Sequence, residues 1–245
     1  MTRGQRLWLL AVGLAGVAVL LVTAYTGLPD FGAASHPYGD RAVHASLARH
    51  TANVISSINF DQRGYDTLGE ESILFGAVLG TVVLLRQTRD ERQVEPAPAL
   101  VLPAVRRYAL YLLPVTLVVG LYVVAHGQLS PGGGFQGGVV TATALHLLYI
   151  AVDYHALERI RPMGLYEIGD AAGEGAYLVL GAAGLLGGTS FLANFLPLGT
   201  FNTLSSGGTV PLLNAAIGME VACAVVVLLA RFLDQAVEIE GRGEK

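Results

Sequence analysis

The chain has 245 residues, of which 53% are hydrophobic and only 14% are charged, and its formal net charge is −4. Soluble domains usually carry charges at about a quarter of their positions. The deficit is concentrated, since residues 175–219 contain no Asp, Glu, Lys or Arg. This composition indicates an integral membrane protein. The single cysteine, Cys223, excludes an internal disulfide, and we expect no nucleic-acid partner.

Apolar segments long enough to cross a bilayer, which needs about 20 residues, recur along the whole chain. The first follows Arg3 and Arg6 and is longer than the roughly 7–15 apolar residues of a signal peptide, so we predict a membrane anchor. The sequence predicts an all-α integral membrane protein with six transmembrane helices, near Leu7–Leu28, Leu68–Leu85, Tyr108–Ala125, Phe135–Val152, Ile168–Gly188 and Val210–Ala230.

The basic residues predict the orientation of these spans. In a six-span arrangement only Arg41, Arg49 and Arg63 fall on one side of the membrane. The positive-inside rule then predicts a multi-pass protein of the cell membrane with both termini in the cytoplasm. The other twelve basic residues share the cytoplasmic side: Arg3, Arg6, Arg86, Arg89, Arg92, Arg106, Arg107, Arg159, Arg161, Arg231, Arg242 and Lys245.

Charge and proline content predict two modules. Residues 1–90 are expected to form a helical hairpin with a long external loop, and residues 91–105, rich in charge and proline, a cytoplasmic linker. Residues 106–232 are expected to form a four-helix domain, and 233–245 a cytoplasmic tail. The apolar spacing in the external loop predicts an amphipathic helix, lying on the outer surface, against a partner or packed within the loop; its stripe is Val43, Leu47, Val54 and Ile58.

The most unusual segment lies between the third and fourth spans, from His126 to Gly138. It contains the pattern G-x-G-x-x-G, but a nucleotide-binding interpretation requires a preceding strand in a soluble fold. Non-helical chain near membrane depth must pack within protein or line a wet cavity. We therefore expect this segment to do one of these, and its candidate residues are His126, Ser130, Pro131, Gly132, Gly133, Gly134, Phe135, Gln136, Gly137 and Gly138.

Ionisable groups inside the predicted spans are candidates for an ion pathway, because a carboxylate at the bilayer centre costs at least about 2.5 kcal/mol. Glu220 lies at the centre of the last span, and the sequence places Glu70 and Glu71 toward the outside and Glu174 toward the cytoplasm. We expect a stepped path for protons or a small cation. For each group, a structural contact or a water-exposed position is the alternative. The candidates are Asp66, Glu70, Glu71, His146, Glu174 and Glu220.

Two segments resemble parts of a known assembly. His126–Gly138 resembles the signature of the B subunit of the Mrp-type multisubunit sodium/proton antiporter, the MnhB family. Asp61–Glu70 resembles the C-terminal end of the large A subunit, with Gln62 and Tyr65 standing where that family usually has Phe. The chain therefore looks like an A-subunit hairpin joined to a B subunit.

This resemblance implies an accessory, non-redox membrane subunit, which works beside large antiporter-like subunits and small subunits in exchanging Na⁺ for H⁺. It also implies functional importance for Glu70, which closes the upstream motif, and a structural or gating role for the loop from His126 to Gly138. Two alternatives stay open, namely a non-conducting scaffold subunit and a membrane subunit of an ion-pumping hydrogenase or related respiratory complex. We find no metal-ligand cluster, nucleophile or phosphate loop in the sequence, and we therefore expect neither an enzyme nor a bound cofactor or metal.

Overall fold

The structure is a computed structural model that describes residues 2–28, 32, 36–86, 91–93, 101–151, 162–186, 189–233 and 237–239. These residues are predominantly helical. The helices are α1 (Arg3–Thr26), α2 (Pro37–Ala48), α3 (Val54–Ser57), a π-helical turn (Ile58–Gln62), α4 (Gly64–Leu84), α5 (Pro103–Ala125), α6 (Gly134–Ala151), α7 (Met163–Leu186) and α8 (Val210–Leu233).

Six of these helices correspond to the six predicted spans. Among the described residues, α1, α4, α5 and α8 are each long and apolar enough to cross a membrane. The 18-residue α6 and the 24-residue α7 complete the set, and α7 carries Glu167, Asp170 and Glu174 within its length. The prediction of an all-α integral membrane protein is confirmed. Val152 and Gly188, the predicted ends of two spans, lie outside the described residues.

Contacts between residues divide the chain into two units, Met1–Asp40 and Arg41–Lys245. In the first unit, α1 begins with a capping box, in which the Thr2 hydroxyl accepts a hydrogen bond from the Gln5 backbone N–H and the Gln5 side chain accepts one from Thr2. This arrangement satisfies backbone donors that the first helical turn leaves free.

In the second unit, α8 is the central helix, and it packs against α4, α5, α6 and α7. More than half of the most apolar stretch of α8 is buried, compared with 17% for α4 and 11% for α5. The helix starts after two glycines with positive φ, Gly207 and Gly208. The core around it is apolar, with Tyr177, Leu213, Ile217 and Val221 at its centre.

The predicted modules are only partly visible in these contacts. The unit boundary falls inside α2, and α4 packs with α7 and α8, so the division at the linker stays a prediction. Residues 94–100 of the linker and residues 234–236 and 240–245 of the tail lie outside the described part. Two three-residue strands, β1 (Glu91–Gln93) and β2 (Val237–Ile239), pair antiparallel.

The expectation of one amphipathic helix in the external loop is wrong. Two helices, α2 and α3, are separated by a turn in which His50 has a φ of 54°, and Asn53 caps α3 by accepting from the Ile55 N–H at 3.1 Å. Val43 and Leu47 are 42% and 51% exposed, so a position of this apolar face on the outer surface or against a partner stays a prediction. The buried face of α2 carries Ala42 and Ser46 instead.

Candidate functional site

A cluster of three carboxylates lies where α4, α7 and α8 meet. Oxygen atoms of Glu71, Glu174 and Glu220 all lie within 4.8 Å of one another. Glu71 and Glu220 are fully buried, and Glu174 is half-buried. We call these three residues the carboxylate cluster. Three chain segments far apart in sequence thus place their acidic groups at one point.

Glycine allows the close approach of helices that builds this cluster. A Cβ added at Gly173 of α7 would stand 2.5 Å from the Cβ of Glu220 and 2.8 Å from the Ala216 carbonyl oxygen. Any side chain at this position would therefore separate α7 from α8. One turn earlier, Gly169 meets the Cys223 sulfur in the same way. The two glycines allow the short distance between α7 and α8 that brings Glu174 close to Glu220.

The oxygens of the carboxylate cluster have few partners. The Ser72 hydroxyl donates to Glu174 Oε1 at 3.1 Å. Among the described residues, neither oxygen of Glu71 nor of Glu220 has a hydrogen-bond partner. Two full negative charges at this separation repel each other by about 3 kcal/mol at an effective dielectric constant of about 20. Protons or a cation bound between the carboxylates would compensate this repulsion.

The glycine-rich loop lies near the start of α8. Its irregular part covers only His126–Gly133, because α6 begins at Gly134. Gly132 and Gly133 adopt φ values of 130° and 140°, a region that side chains other than glycine rarely enter. Gly134, Gly137 and Gly138 lie inside α6, where they allow close helix packing rather than a turn.

Asparagines from two other segments hold this loop. Asn214 of α8 accepts a hydrogen bond from the Gly134 N–H at 2.9 Å, and its amide donates to the Ser56 hydroxyl and to the Val210 carbonyl. The Asn53 amide donates to the carbonyls of Gly127 and Ser130 at 2.7 and 2.8 Å. The loop therefore has most of its polar groups paired and is fixed from two sides.

The polar side chains of the loop itself have separate roles. His126 stacks on Tyr122 with ring centroids 3.9 Å apart, and its Nδ1 lies 3.0 Å from the Tyr122 carbonyl oxygen. Gln128 is fully buried and donates to the Leu204 carbonyl at 2.8 Å. Pro131 and Gln136 are exposed, and Phe135 packs against the apolar core.

Comparison with known proteins identifies the part of the chain that contains this loop. A sequence family described as "Domain related to MnhB subunit of Na+/H+ antiporter" matches residues 104–227, which is just over half of the chain. That range covers α5, α6, α7 and most of α8. The chain belongs to this MnhB-related family.

Relatives of the MnhB-related chain match it over different lengths. It is 28% identical over 198 residues to an uncharacterised protein of Methanocaldococcus jannaschii, covering 69% of this chain and 72% of that protein. It is 32% identical over 81 residues to the Na⁺/H⁺ antiporter B subunit of Alkalihalophilus pseudofirmus, covering 33% of this chain and 56% of that relative. The chain thus spans about half the length of the antiporter relative.

Two solved membrane complexes contain chains of similar fold. A chain of the membrane-bound sulfane sulfur reductase, an archaeal respiratory membrane complex, matches with a TM-score of 0.72 and 26% identity, covering 94% of this chain and 98% of that one. A chain of the Mrp complex from Dietzia sp. DQ12-45-1b matches with a TM-score of 0.68 and 23% identity, covering 100% of this chain and 27% of that one. The second likeness concerns the fold alone.

The candidate pathway residues are only partly brought together in the MnhB-related chain. Glu71, Glu174 and Glu220 converge. Glu70 is exposed although it adjoins Glu71, and Asp66 is an exposed group paired with Arg63. His146 is half-buried in the C-terminal half of α6 and is outside the cluster.

The predicted spacing of the carboxylates at three depths is wrong. α7 starts at Met163, before the predicted span, so Glu174 lies at its middle rather than near one end. α4 likewise starts at Gly64, and Glu71 lies seven residues, or about 10 Å, along it. Both shifts move the carboxylates to the depth of Glu220, which is ten residues into α8.

Several polar residues of this region, all buried except the half-buried Asn53, are absent from the candidates that the sequence suggests. Asn53 and Asn214 position the loop, Asp170 is buried one turn before Glu174, and Tyr177 is buried one turn after it. An amide within the uncharged run that leads into α8 is a detectable signal for Asn214, because polar groups inside spans seldom lack a partner or a function.

Proposed function

We propose that the chain is an accessory membrane subunit of a multisubunit cation/proton antiporter, which exchanges Na⁺ for H⁺ across the cell membrane. The observation that carries this proposal is the carboxylate cluster of Glu71, Glu174 and Glu220, buried where three spanning helices meet. Buried acidic groups inside spans are costly and usually mark ion or proton pathways.

Membership of the MnhB-related family supports the antiporter assignment. Two of the bacterial relatives are Na⁺/H⁺ antiporter B subunits, that of Alkalihalophilus pseudofirmus and that of Bacillus subtilis, which is 29% identical over 82 residues. The partners in this proposal are large antiporter-like subunits and small membrane subunits. Such partners are part of the proposal because self-contained transporters are built from inverted repeats with broken helices, whereas the spanning helices in the described part of the chain are continuous.

Within the proposal, Glu71 and Glu220 bind the exchanged ion or proton, and Glu174 completes the site. Glu174 is held by the Ser72 hydroxyl, whereas the other two carboxylates keep their oxygens available. Glu70, Asp66 and His146 have no direct part, since they lie outside the cluster. The role that the upstream motif suggests for Glu70 thus passes to its neighbour Glu71.

The distribution of basic residues supports an orientation with both termini in the cytoplasm. In that orientation the glycine-rich loop, α2, α3 and the segment 189–209 face outward. The carboxylate cluster then lies near the middle of the membrane, one helical turn deeper than Tyr177 of α7 and Ile217 of α8. An ion from outside reaches it through this outer polar layer.

The test is ion-coupled transport by the assembled complex in membrane vesicles. Glu220→Gln keeps the shape of the side chain and removes its charge, so we expect a loss of antiport of about tenfold or more. Glu167→Gln, on the same bundle but paired with Arg231 at one end of α7 and α8, is the matched control and should retain most activity. Full antiport by Glu220→Gln in a correctly assembled complex would refute the proposal.

A second candidate function is a membrane subunit of an ion-pumping respiratory complex. The observation that favours it is the end-to-end match to one chain of the sulfane sulfur reductase complex, of which this chain covers 98%. Both functions use the same carboxylate cluster. Purification of the native complex separates them, because redox subunits with iron–sulfur absorption would accompany the chain only in the respiratory case.

A further inference from the structure

An apolar layer separates the carboxylate cluster from the outer polar loops. It consists of Phe60, Tyr177 and Ile217, which are 3%, 0% and 0% exposed and belong to one packed core. Tyr177 lies three residues after Glu174 on α7, and Ile217 lies three residues before Glu220 on α8. The layer therefore lies one helical turn away from the cluster on two helices.

A partly open cleft lies on the other side of this layer. It is lined by Ser56, Asn59, Phe60, Asn214 and the glycine-rich loop from Gly132 to Gln136. Phe60 thus borders both the cleft and the apolar core. The lining combines amide and hydroxyl groups and loop backbone with the apolar side chains of Ile55, Phe60 and Phe135. Its volume of about 20 Å³ holds about one water molecule, so an ion would enter through it with few of its waters.

Successive turns of α8 connect the cleft to the cluster, over an arc of about 120° of the helix surface. Asn214 lines the cleft, Ile217 belongs to the layer, and Glu220 belongs to the cluster, so three residues at intervals of three follow one another along the helix. At about 1.5 Å per residue, Asn214 and Glu220 are about 9 Å apart along the axis. The apolar layer is the barrier within this short distance.

Tyr177 is the member of the layer that is best suited to move. Its hydroxyl donates one hydrogen bond, at 3.0 Å, to the carbonyl of Gly64, the first residue of α4. Its ring meets Phe60 at a tilt, with centroids 6.5 Å apart, and Phe60 lies in the π-helical turn, a conformation frequent at functional sites. Ile217, by contrast, is fixed against the backbone of Gly134, where an added Cβ would stand 2.7 Å from the Ile217 Cβ.

We propose that Phe60, Tyr177 and Ile217 form the outer gate of the ion path, that Tyr177 is its moving part, and that the cleft at Asn214 is its mouth. Apolar constrictions close a path by excluding water, and rotation of Tyr177 would break one hydrogen bond and open a wet connection to the cluster. The proposal rests on the proposed function in assigning an ion path to the cluster. The gate controls access to the carboxylate cluster, and a reaction rate at the cluster tests it without a transport assay.

The experiment measures how fast a thiol at the cluster reacts with a reagent supplied from the cleft side. The reporter is Glu220→Cys in the intact complex with Cys223→Ala, and the reagent is a small membrane-impermeant methanethiosulfonate cation. Tyr177→Ala removes the ring, and we expect the rate to rise about tenfold or more. Tyr177→Phe removes only the hydroxyl, and we expect about a fivefold rise, as for the loss of one hydrogen bond.

Two controls make the result decisive. Tyr65→Ala changes an exposed tyrosine that packs on Phe191 outside the layer, and it should leave the rate unchanged. Asn59→Cys places a thiol in the cleft, and it should react quickly whether or not Tyr177 is replaced. If Tyr177→Ala does not assemble, Tyr177→Phe decides alone.

The gate would be overturned if the thiol at position 220 reacted at the same rate with native Tyr177, Tyr177→Phe and Tyr177→Ala. Absence of reaction in all three would overturn it as well. That failure is distinct from failure of the proposed function, which is decided by antiport in Glu220→Gln. If Tyr177 controls access to position 220 but antiport does not depend on Glu220, the gate is supported and its assignment to an ion path is wrong.

Discussion

The glycine-rich loop and the carboxylate cluster lie in the same packed unit but differ in how far their polar groups are hydrogen-bonded. In the loop, Asn53 and Asn214 donate to or accept from backbone groups at distances from 2.7 to 3.1 Å. In the cluster, both oxygens of Glu71 and of Glu220 have no hydrogen-bond partner among the described residues.

This difference indicates that the loop has a structural role and that the carboxylate cluster is the candidate ion site. Buried polar groups in folded proteins are nearly always paired, and each exception requires an explanation. A paired network makes the loop rigid, and the loop in turn fixes the start of α6 against α8. Gln128 of the loop also keeps its amide oxygen without a partner, but it is neutral and its amide nitrogen donates to Leu204. Glu71 and Glu220 leave both carboxylate oxygens unpaired among the described residues, and a mobile ion or proton that binds there explains this.

The largest loss of stability is expected when a close contact between two helices is filled. A Cβ at Gly137 of α6 would collide with Val124 Cγ2 and would stand 2.7 Å from the Gly120 carbonyl oxygen. We expect Gly137→Ala to destabilise the chain by about 3 kcal/mol, at the upper end of overpacking costs, and to reduce assembly of the complex. Gly76→Ala is the control, because nothing lies within 4 Å of that position in the described chain. Equal thermal stability of the two variants would contradict the close packing of α5 and α6.

Removing the side chain that fixes the loop should have a smaller effect. Asn214→Leu leaves the Gly134 N–H and the Ser56 hydroxyl without their partner, and an unsatisfied buried group costs about 1–3 kcal/mol. We expect a lower unfolding temperature for Asn214→Leu and about half that change for Ser56→Ala, which removes one of the contacts. Thermal unfolding of the purified complex measures both. An Asn214→Leu variant as stable as the native chain would show that the loop is held in another way.

The smallest effect on antiport is expected for Ser72, at the edge of the carboxylate cluster. Ser72 is exposed and donates one hydrogen bond to Glu174, so its loss should cost at most about 1 kcal/mol. We expect Ser72→Ala to lower antiport by less than about fivefold and Ser72→Thr, which keeps the hydroxyl, to be nearly normal. A complete loss of antiport in Ser72→Ala would mean that Glu174 carries more of the site than its half-buried position indicates.

The spans and the loop could be predicted from the sequence because they depend on length and composition alone. Their ends could not, since α7 begins before Glu167 and α5 before Arg106 and Arg107. Charged residues are tolerated in the end turns of a membrane helix, where long side chains reach water. A hydropathy pattern therefore ends a span too early.

The cluster could be predicted only as a set of candidates. Glu70 and Glu71 differ by about 100° around α4, and the sequence does not tell which one faces α7 and α8. The upstream motif favours Glu70, but Thr67, Glu71 and Val78 form the buried face. The side of α4 that faces its neighbours depends on tertiary packing. Packing here depends on glycines such as Gly173, whose contacts only the structure gives.

Antiport by the assembled complex, compared between Glu71→Gln and Glu70→Gln, tests the central claim most directly. The two variants remove the same charge at adjacent positions, one buried in the cluster and one exposed. We predict that Glu71→Gln lowers antiport about tenfold or more, whereas Glu70→Gln retains at least about half of it, as expected for an exposed charge. Normal antiport in Glu71→Gln, or a greater loss in Glu70→Gln, would contradict a role for the buried cluster in moving ions.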